Sequence, residues 1–585
     1  MCGIVGYKGV NNGIPVLLNG LKSLEYRGYD SAGIAYVKNK KVKIIKNIGR
    51  VSYLESLISP NEYSNIGIAH TRWATHGKVN KINAHPHKVG KISLVHNGII
   101  ENYEEIKNKL SSYKFKSTTD TEILCAYIDY LYSKNHNMLE VLNKLKDDIK
   151  GSYALVIIND DEIDSLYAIR KNSPLIVASN DNEFYLASDM PALIKYTNKY
   201  ILLDNDEIVK ISDNIYIYDK SLKEINKKIL TFEGTSNDAM KCGYEHFMLK
   251  EIHEEPKVIN NILSYYVTDN HFNENMPKFK KYKEIYFVGC GSAAYTADIA
   301  KKVFEKYVNV KCEVFLASEY RYQKHFYNKD TLVIFISQSG ETADTLEALR
   351  LTKNDGIDTL ALVNVVGSSI AREADKTLYI KAGPEIAVAT TKAFVAQYIL
   401  LTLIALKMSN NEKYLNSYGS LEKSLEKIYK FDYIKYANKI YKSNNAFFIG
   451  RQIDYGLCEE GSLKLKEISY INSSAFASGE LKHGTISLIE NKTPVISIIT
   501  DEDISLKTIS NIKEVHTRGA YNLFITPLDI DGDFYDDKIK VDNINYIVNP
   551  ILVVAVLQLL AYNVAKLKGE DIDKPRNLAK SVTVE

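Results

Sequence analysis

The chain has 585 residues, 45% of them hydrophobic, and its 74 basic and 72 acidic residues leave a formal net charge of only +2. A chain of this length is expected to form about three or four domains with buried cores. The near balance of charge disfavours nucleic acid and anionic membrane surfaces as partners. The first residues lack a signal-peptide pattern, and the longest apolar run, 551–565, is too short for a bilayer span. These features predict a cytoplasmic protein.

The six cysteines are scattered along the chain without the spacing of a metal site. We therefore expect reduced, mostly buried thiols and no metal. Cys2 is the exception, because removal of Met1 would leave a thiol and a free α-amine on one residue. An amine that titrates near ~8 can serve as base for a thiol that titrates near ~8.5, which is a nucleophile and its base combined.

Short apolar runs broken by Gly, Asn and Asp predict a strand-rich α+β domain in the first third. Two runs, 66–70 and 92–95, lead into polar segments. The Asn97 amide and the Gly98 N–H could donate to an oxyanion, although an ordinary Asn-Gly turn is the alternative. Arg72 could bind a substrate carboxylate. Asp120 could bind the ammonium group, or it could simply cap the helix predicted after it.

Five segments, at residues 2–6, 24–33, 70–77, 96–98 and 119–122, closely resemble the N-terminal-nucleophile (class II) glutamine amidotransferases in sequence and order. The resemblance implies that Cys2 forms a glutamyl thioester and releases ammonia, with Asn97 and Gly98 as the oxyanion hole. The residues that it implies for glutamine binding are Arg27, Arg72, Thr75, His76 and Asp120. Trp73 matches the residue with which the family gates an ammonia channel, and a plain core aromatic is the alternative.

Further along the chain, strands and helices alternate, which predicts parallel sheets covered by helices on both faces. Strands at 285–289 and 446–450 each precede a helix and predict two copies of one fold. The first copy lacks the third glycine of a dinucleotide-binding loop, so a nicotinamide cofactor is not expected. The strand at 331–336 leads into Ser-Gln-Ser-Gly-Glu-Thr at 337–342. Hydroxyls and free N–H groups at a helix N-terminus suit a phosphate, and a run of helix caps is the alternative.

The last domain carries three further candidates. A helix predicted over 456–469 places Lys464 and Glu467 on one face at i and i+3, and this spacing alone favours a surface ion pair. His483 lies in a loop bounded by glycines, where a functional role is favoured over packing. Lys580 lies in a C-terminal tail of a kind that usually frays.

These motifs resemble sugar-isomerase (SIS) domains, and the chain from Cys2 to Glu585 resembles the isomerizing glutamine–sugar-phosphate aminotransferases. The resemblance implies that Lys580 forms an imine with the open-chain ketose and that Glu467 moves a proton between C1 and C2. His483 would assist ring opening, and Lys464 would complete the acid–base cluster. The residues implied for sugar-phosphate binding are Ser292, Ser337, Gln338, Ser339, Thr342, Thr390 and Lys464. Departures from the family pattern are Ala293 and Thr390, each in place of a commoner Ser, and the segment 472–476.

The implied activity converts L-glutamine and D-fructose 6-phosphate to L-glutamate and D-glucosamine 6-phosphate, the first step of hexosamine and UDP-N-acetylglucosamine biosynthesis. No cofactor is implied, and the chain would form a homodimer with sugar sites built partly across the subunit boundary. The predicted fold is an αββα glutaminase domain (2–215), a linker (216–274), two α/β SIS domains with parallel sheets (275–415 and 436–576) and an active-site tail (577–585).

Two other functions remain open at this stage. A glutaminase of this type could act on another sugar phosphate, but the loops expected of amidophosphoribosyltransferases and asparagine synthetases are not found. A non-catalytic phosphosugar sensor built on SIS domains is the other alternative. The presence of Cys2, Glu467 and Lys580 disfavours it.

Overall fold

The structure is a computed structural model that describes residues 2–74, 77–232 and 240–582. It consists of two compact units. One is formed by Met1–Met240 together with Ala579–Glu585, and the other by Lys241–Leu578.

Two antiparallel sheets form the centre of the first unit. Their strands are β1 (Gly3–Lys8), β2 (Ser31–Lys38), β3 (Lys41–Ile48), β4 (Ile66–Arg72), β5 (His87–Val89), β6 (Ile92–Ile100), β7 (Gly151–Asn159), β8 (Leu166–Lys171), β9 (Ile176–Asn180), β10 (Glu183–Ala187), β11 (Lys199–Leu202), β12 (Ile208–Ile211), β13 (Ile215–Tyr218) and β14 (Leu230–Thr231). The eight-stranded sheet has the order β14-β11-β9-β10-β1-β4-β2-β3, and the six-stranded sheet has the order β13-β12-β8-β7-β6-β5.

Helices cover the outer faces of these sheets. They are α1 (Gly13–Leu24), α2 (Val51–Ser56), α3 (Tyr103–Asn108), α4 (Asp120–Asn135) and α5 (Met138–Asp148). Strand β7 shows how the layers form, because its side chains alternate between two faces. Val156 and Ile158 pack between the sheets with Ile4 of β1, whereas Leu155 packs against α4 beside Leu124. The predicted αββα architecture is confirmed.

The segment predicted as a linker, 216–274, is instead shared between the two units. Strand β13 pairs with β12, and β14 pairs with β11, so the first unit extends beyond its predicted end at residue 215. The end of the segment contains two helices of the second unit, whose Met248 and Ile259 are buried in its core. Strands of two to four residues are too short to be recognised from alternating hydrophobicity within a lysine-rich stretch.

The second unit is a pair of parallel five-stranded sheets with helices around them. Its elements are α6 (Phe247–His253), α7 (Glu255–Tyr266), β15 (Val267–Thr268), β16 (His271–Phe272), β17 (Glu284–Gly289), α8 (Ser292–Val303), β18 (Lys311–Leu316), α9 (Ala317–Tyr320), β19 (Thr331–Ser337), α10 (Ala343–Asn354), β20 (Asp358–Val363), α11 (Ser369–Glu373), β21 (Lys376–Tyr379), α12 (Lys392–Met408), α13 (Leu421–Ile428), α14 (Tyr433–Ile440), β22 (Asn445–Gly450), α15 (Ile453–Ser469), β23 (Asn472–Ala477), β24 (Pro494–Ile498), α16 (Ser505–His516), β25 (Tyr521–Thr526), β26 (Asp537–Lys540) and α17 (Asn549–Lys568).

The two sheets have the same strand order, β18-β17-β19-β20-β21 and β23-β22-β24-β25-β26. The backbone repeats in detail as well. Gly291 precedes α8 with φ +54°, and Gln452 precedes α15 with φ +53°. A glutamine in this left-handed region is uncommon, so the shared conformation reflects a turn that both copies require. The predicted duplication is confirmed.

Helix α17 is long and apolar enough, by length and composition, to cross a membrane, but 83% of its apolar window is buried inside the protein. It packs against α15, where Leu557 lies close to Gly461. An apolar helix covered on all sides is typical of a protein core, as predicted for the run 551–565.

Candidate active sites

The first site forms at the start of β1, where Cys2 meets two neighbouring strands. The Cys2 Sγ accepts a hydrogen bond from the Trp73 N–H at 3.3 Å, just after the end of β4. The Asn97 side-chain Nδ2, on β6, donates to the Cys2 carbonyl oxygen at 3.1 Å. The structure thus brings together the predicted nucleophile, one predicted oxyanion donor and the predicted channel gate.

Asn97 and Gly98 lie inside a strand, so their alternative interpretation as a hairpin turn is wrong. They pair with Ala154 and Tyr153 of β7. Gly98 has φ +126°, and a Cβ built there would lie 2.0 Å from the Ser152 carbonyl oxygen. Only glycine fits this position, which interrupts regular strand geometry beside the nucleophile.

Asp120 is the first residue of α4 and not its cap. The cap is Thr119, whose side chain accepts a hydrogen bond from the Glu122 N–H. One Asp120 carboxylate oxygen instead accepts from the Ile100 N–H at 2.9 Å, at the end of β6. This bond holds the carboxylate against the strand that carries Asn97.

Arg72 is buried at the end of β4, and its guanidinium donates to the Gly77 carbonyl at 3.4 Å. Burial lowers its pKa, while the charges of Cys2, Asp30 and Asp120 raise it. Arg72 thus interacts electrostatically with the predicted nucleophile and with Asp120, the predicted partner of the substrate ammonium group. Burial also raises the pKa of the Cys2 thiol, and the charge of Arg72 opposes this increase.

The remaining predicted glutamine ligands differ in outcome. Arg27 forms a buried ion pair with Asp189 at 2.7 Å, and the Tyr26 hydroxyl donates to the same carboxylate at 2.6 Å. The structure thus gives Arg27 a structural partner on the loop after β10. Thr75 and His76 lie outside the described residues.

The sequence interpretation missed a cluster of buried histidines under Asn97. His70 Nε2 lies 3.0 Å from the His96 carbonyl oxygen and 3.1 Å from Asn97 Oδ1. The His70 ring stacks on His85, with centroids 4.1 Å apart, and His85 packs edge-on against His87. Burial lowers the pKa of His70 to about 3. The sequence indicated only that His70 lies at the end of a predicted strand. The spacing did not predict which residues its ring would contact.

In the second unit, the predicted phosphate loop connects β19 to α10. The Ser337 hydroxyl lies 2.8 Å from the Thr342 hydroxyl and accepts from the Gly340 N–H at 3.0 Å. The Ser339 hydroxyl accepts from the Glu341 N–H at 3.2 Å. Thr342 precedes α10 without forming a side-chain cap, so the interpretation of these hydroxyls as a run of caps is not supported at that position.

The loop has no room for a side chain in place of Gly340. Gly340 has φ +64°, and a Cβ there would lie 2.0 Å from the Ser368 hydroxyl oxygen. Glu341 also accepts from the Ser369 N–H at 2.9 Å, which ties the loop to the start of α11. A fixed loop at a helix N-terminus presents its N–H groups in one direction, as anion binding requires.

Helix α15 carries a buried charge cluster. Lys464 Nζ lies 2.7 Å from Glu467 and 3.5 Å from Glu460. Lys464 and Glu460 are each 1% exposed and Glu467 is 19% exposed, so the alternative of a surface ion pair is wrong. Burial opposes the charge of Lys464, but the two carboxylates outweigh it and raise the lysine pKa. Glu460, which the sequence interpretation missed, has its pKa raised to about 7 by burial.

The other predicted sugar-site residues lie on separate elements of the second unit. Ser292 begins α8, and Thr390 lies just before α12. His483 ends a short 3₁₀ segment, Leu481–His483, and its side chain is exposed. Lys580 belongs to the tail that groups with the first unit, where its N–H donates to the Tyr26 carbonyl at 3.5 Å.

In the second copy of the fold, the chain after β24 lacks the Ser-Gln-Ser-Gly-Glu-Thr sequence found after β19. Ala293 and Asp454 are each the second residue of their helices, α8 and α15. The Asp454 carboxylate accepts from the Thr500 N–H at 3.0 Å and from the Thr500 hydroxyl at 2.5 Å, just beyond β24. The chain's own carboxylate therefore occupies the strand end that corresponds to the phosphate loop.

Comparisons with known proteins agree with this division. The SIS domain family matches residues 278–407 and 439–565, and a glutamine amidotransferase domain family matches residues 78–195. The chain is 45% identical to the glutamine–fructose-6-phosphate aminotransferase (isomerizing) of Clostridium tetani, over the whole of both chains. It is 42% identical to the protein of the same name from Methanosarcina mazei, again over both full lengths.

One solved structure resembles the second unit. The C-terminal domain of glucosamine-fructose-6-phosphate aminotransferase from Francisella tularensis is 34% identical, with a TM-score of 0.54. The match covers 57% of this chain and 99% of the solved chain.

Proposed function

Because the chain belongs to the family of isomerizing glutamine–fructose-6-phosphate aminotransferases, we propose that it converts L-glutamine and D-fructose 6-phosphate to L-glutamate and D-glucosamine 6-phosphate. This is the first step of hexosamine biosynthesis. The observation that carries the proposal is the contact of the Asn97 amide with Cys2 at 3.1 Å, in a chain that also holds a phosphate-type loop and a buried acid–base cluster.

In the glutaminase half, Cys2 attacks the glutamine carboxamide, the carbon–nitrogen bond breaks with release of ammonia, and water hydrolyses the resulting thioester to glutamate. Negative charge develops on the carboxamide oxygen, and Asn97 Nδ2 and the Gly98 N–H stabilise it. Arg72 holds the substrate carboxylate and Asp120 its ammonium group, with Thr75 and His76 as further ligands. Trp73, whose main-chain N–H donates to the thiol, gates the path of ammonia.

In the sugar half, the hydroxyls and N–H groups of Ser337, Gln338, Ser339 and Thr342 bind the phosphate, with Ser292 and Thr390 as further contacts. Lys580 forms the imine with the open-chain ketose with loss of water, ammonia then replaces the lysine nitrogen on that carbon and frees Lys580, and Glu467 moves the proton between C1 and C2. Lys464 keeps its charge between Glu460 and Glu467 and so steadies Glu467. Neither half requires a cofactor.

His483 assists ring opening. Its side chain is exposed on this chain, as a residue that serves the site of a second copy would be. The exposed position of His483 and the family resemblance support a homodimer, and the family resemblance supports a cytoplasmic location. We include both in the proposal.

The decisive test incubates the purified full-length protein with glutamine and fructose 6-phosphate, and identifies the sugar product by mass and chromatography. Glucosamine 6-phosphate and one equivalent of glutamate are expected. Cys2→Ala should stop both products from glutamine while leaving the ketose-to-aldose isomerisation measurable, because the acid–base cluster lies in the other unit. Glutamate without amino sugar would indicate a different acceptor and contradict the proposal.

A further inference from the structure

The oxyanion donor Asn97 has a buried partner on its other side. His70 lies in β4, which pairs with β1 on one side and β2 on the other. Its ring is 1% exposed and is fixed by the stack on His85. From this position Nε2 contacts Asn97 Oδ1 at 3.1 Å, while Asn97 Nδ2 contacts Cys2.

These contacts determine which way the Asn97 amide points. His70 Nε2 also lies 3.0 Å from the His96 main-chain carbonyl, which can only accept, so Nε2 carries the hydrogen. A rotation of the Asn97 amide by half a turn would place its NH₂ group against Nε2–H. It would also place Oδ1 against the Cys2 carbonyl oxygen. Both contacts would be repulsive, so only one orientation is compatible with the surroundings.

We propose that His70 is a positioning residue for glutamine hydrolysis: by donating from Nε2 to Asn97 Oδ1, it aims Asn97 Nδ2 at the side of Cys2 where the oxyanion forms. The inference rests on the proposed function, because it requires Asn97 to be an oxyanion donor. Burial keeps the imidazole neutral, with a pKa of about 3, so the bond does not depend on a charged ring. A donor that cannot rotate needs no reorganisation during the reaction, which is where an oxyanion hole gains its effect.

The test measures steady-state glutamine hydrolysis by the full-length protein and its His70→Leu and His70→Gln variants. His70→Leu should lower kcat by about 10- to 100-fold, a part of what removal of an oxyanion donor costs. KM for glutamine should change less than about threefold, because Arg72 and Asp120 bind the other end of the substrate. His70→Gln should recover most of kcat, since its amide N–H can donate to Asn97 Oδ1.

A double-mutant cycle with Asn97→Ala separates positioning from a general structural role. If His70 acts through Asn97, adding His70→Leu to Asn97→Ala should lower kcat by less than about threefold. The matched control is His87→Leu, which removes another buried ring of the cluster, one that packs on His85, and it should have a smaller effect on kcat than His70→Leu. Should His70→Leu fail to fold, His70→Asn, whose shorter amide does not reach Asn97, takes its place in the cycle.

The outcomes distinguish this inference from the proposed function. Wild-type protein that does not hydrolyse glutamine would overturn both. Wild-type protein that does, with the same factor lost from His70→Leu in the presence and absence of the Asn97 amide, would overturn only the role of His70. Loss of kcat that depends on the Asn97 amide and is recovered by His70→Gln would establish it.

Discussion

Asn97 is held on both sides, by His70 behind it and by the Cys2 carbonyl in front. Asn97→Ala should therefore reduce the kcat of glutamine hydrolysis by about 10²- to 10³-fold, the usual loss for one oxyanion donor. Glutamine binding should change little, because the side chains proposed to hold its amino-acid end, Arg72 and Asp120, are unchanged. Initial-rate kinetics give both parameters. The control is Asn102→Ala. Asn102 follows β6, and its part-buried side-chain amide bonds the main chain of Asp148 and Lys150. A variant that lost binding but kept its turnover would contradict the assignment.

Lys464 illustrates a buried charge that depends on its partners. Lys464→Met should abolish sugar isomerisation and destabilise the second unit by about 3–5 kcal/mol, because it leaves Glu460 and Glu467 facing each other without a cation. Thermal unfolding and an isomerase assay with fructose 6-phosphate measure the two effects. Lys466→Met, at an exposed position on the same helix, should change neither. An active, equally stable Lys464→Met protein would show that the cluster plays no part in the reaction.

The spacing of Lys464 and Glu467 predicted that they share a helix face, but it did not predict that this face is buried. An i, i+3 pair places two side chains on one face of a helix, but it does not say whether that face is buried. The burial arises because α15 packs between α8 and α17, which are distant in sequence. The same limit explains His70. A strand pattern indicates that the residue is buried, whereas its contact with Asn97 depends on β4 of one sheet lying opposite β6 of the other.

At the scale of elements, the two SIS sheets share their topology but differ at the strand end that is proposed to bind phosphate in the first. Asp454 occupies that place in the second copy and bonds Thr500. Because the chain's own carboxylate already bonds this strand end, we propose phosphate binding only for the loop after β19. The duplication was visible in the sequence because each copy repeats a strand, a turn and a helix. The contact of Asp454 with Thr500 was not, since a single aspartate in a first helical turn also suits a helix N-terminus.

Asp454 should make stability depend on pH. Burial raises its pKa from 3.8 to about 7, so the folded protein holds the proton more tightly than the unfolded chain does. The resulting stabilisation is complete below about pH 4 and is lost as the pH rises through 7, by roughly 4 kcal/mol at most. The melting temperature of the wild type should therefore fall relative to Asp454→Asn between pH 5 and pH 8, as followed by calorimetry. A difference that stays constant with pH would mean that Asp454 does not change its protonation over this range.

The predicted linker shows where sequence patterns fail at this scale. The polar, lysine-rich stretch from residue 216 has the composition of a connection between domains. Yet β13 and β14 complete the two sheets of the first unit. Both strands are short and contain no lysine, and the lysines of the stretch lie between them. Composition alone therefore cannot distinguish an edge strand from a linker.

At the scale of the whole molecule, the last residues of the chain are divided between the two units, and each part is bonded within its own unit. In the second unit, the Arg576 N–H donates to the Tyr470 hydroxyl at 2.8 Å, and the Arg576 guanidinium lies over the Tyr470 ring at 4.0 Å. The Asp573 carboxylate accepts from the first two N–H groups of α6. In the first unit, the Lys580 N–H donates to the Tyr26 carbonyl at 3.5 Å. A tail held by these bonds differs from the frayed end that its position predicts.

Lys580 is accordingly predicted to form the imine with the ketose. An imine forms from an uncharged amine, and a lysine becomes nucleophilic when its surroundings disfavour the charged form. Borohydride reduction of the full-length protein in the presence of fructose 6-phosphate should trap a sugar adduct, which peptide mass mapping should place on Lys580. Lys580→Arg keeps the charge but cannot form the imine, so it should abolish both the adduct and glucosamine 6-phosphate production. Lys574→Arg, six residues earlier in the chain, should retain both. A Lys580→Arg protein that makes glucosamine 6-phosphate at the normal rate would leave the tail with an anchoring role and no part in the chemistry.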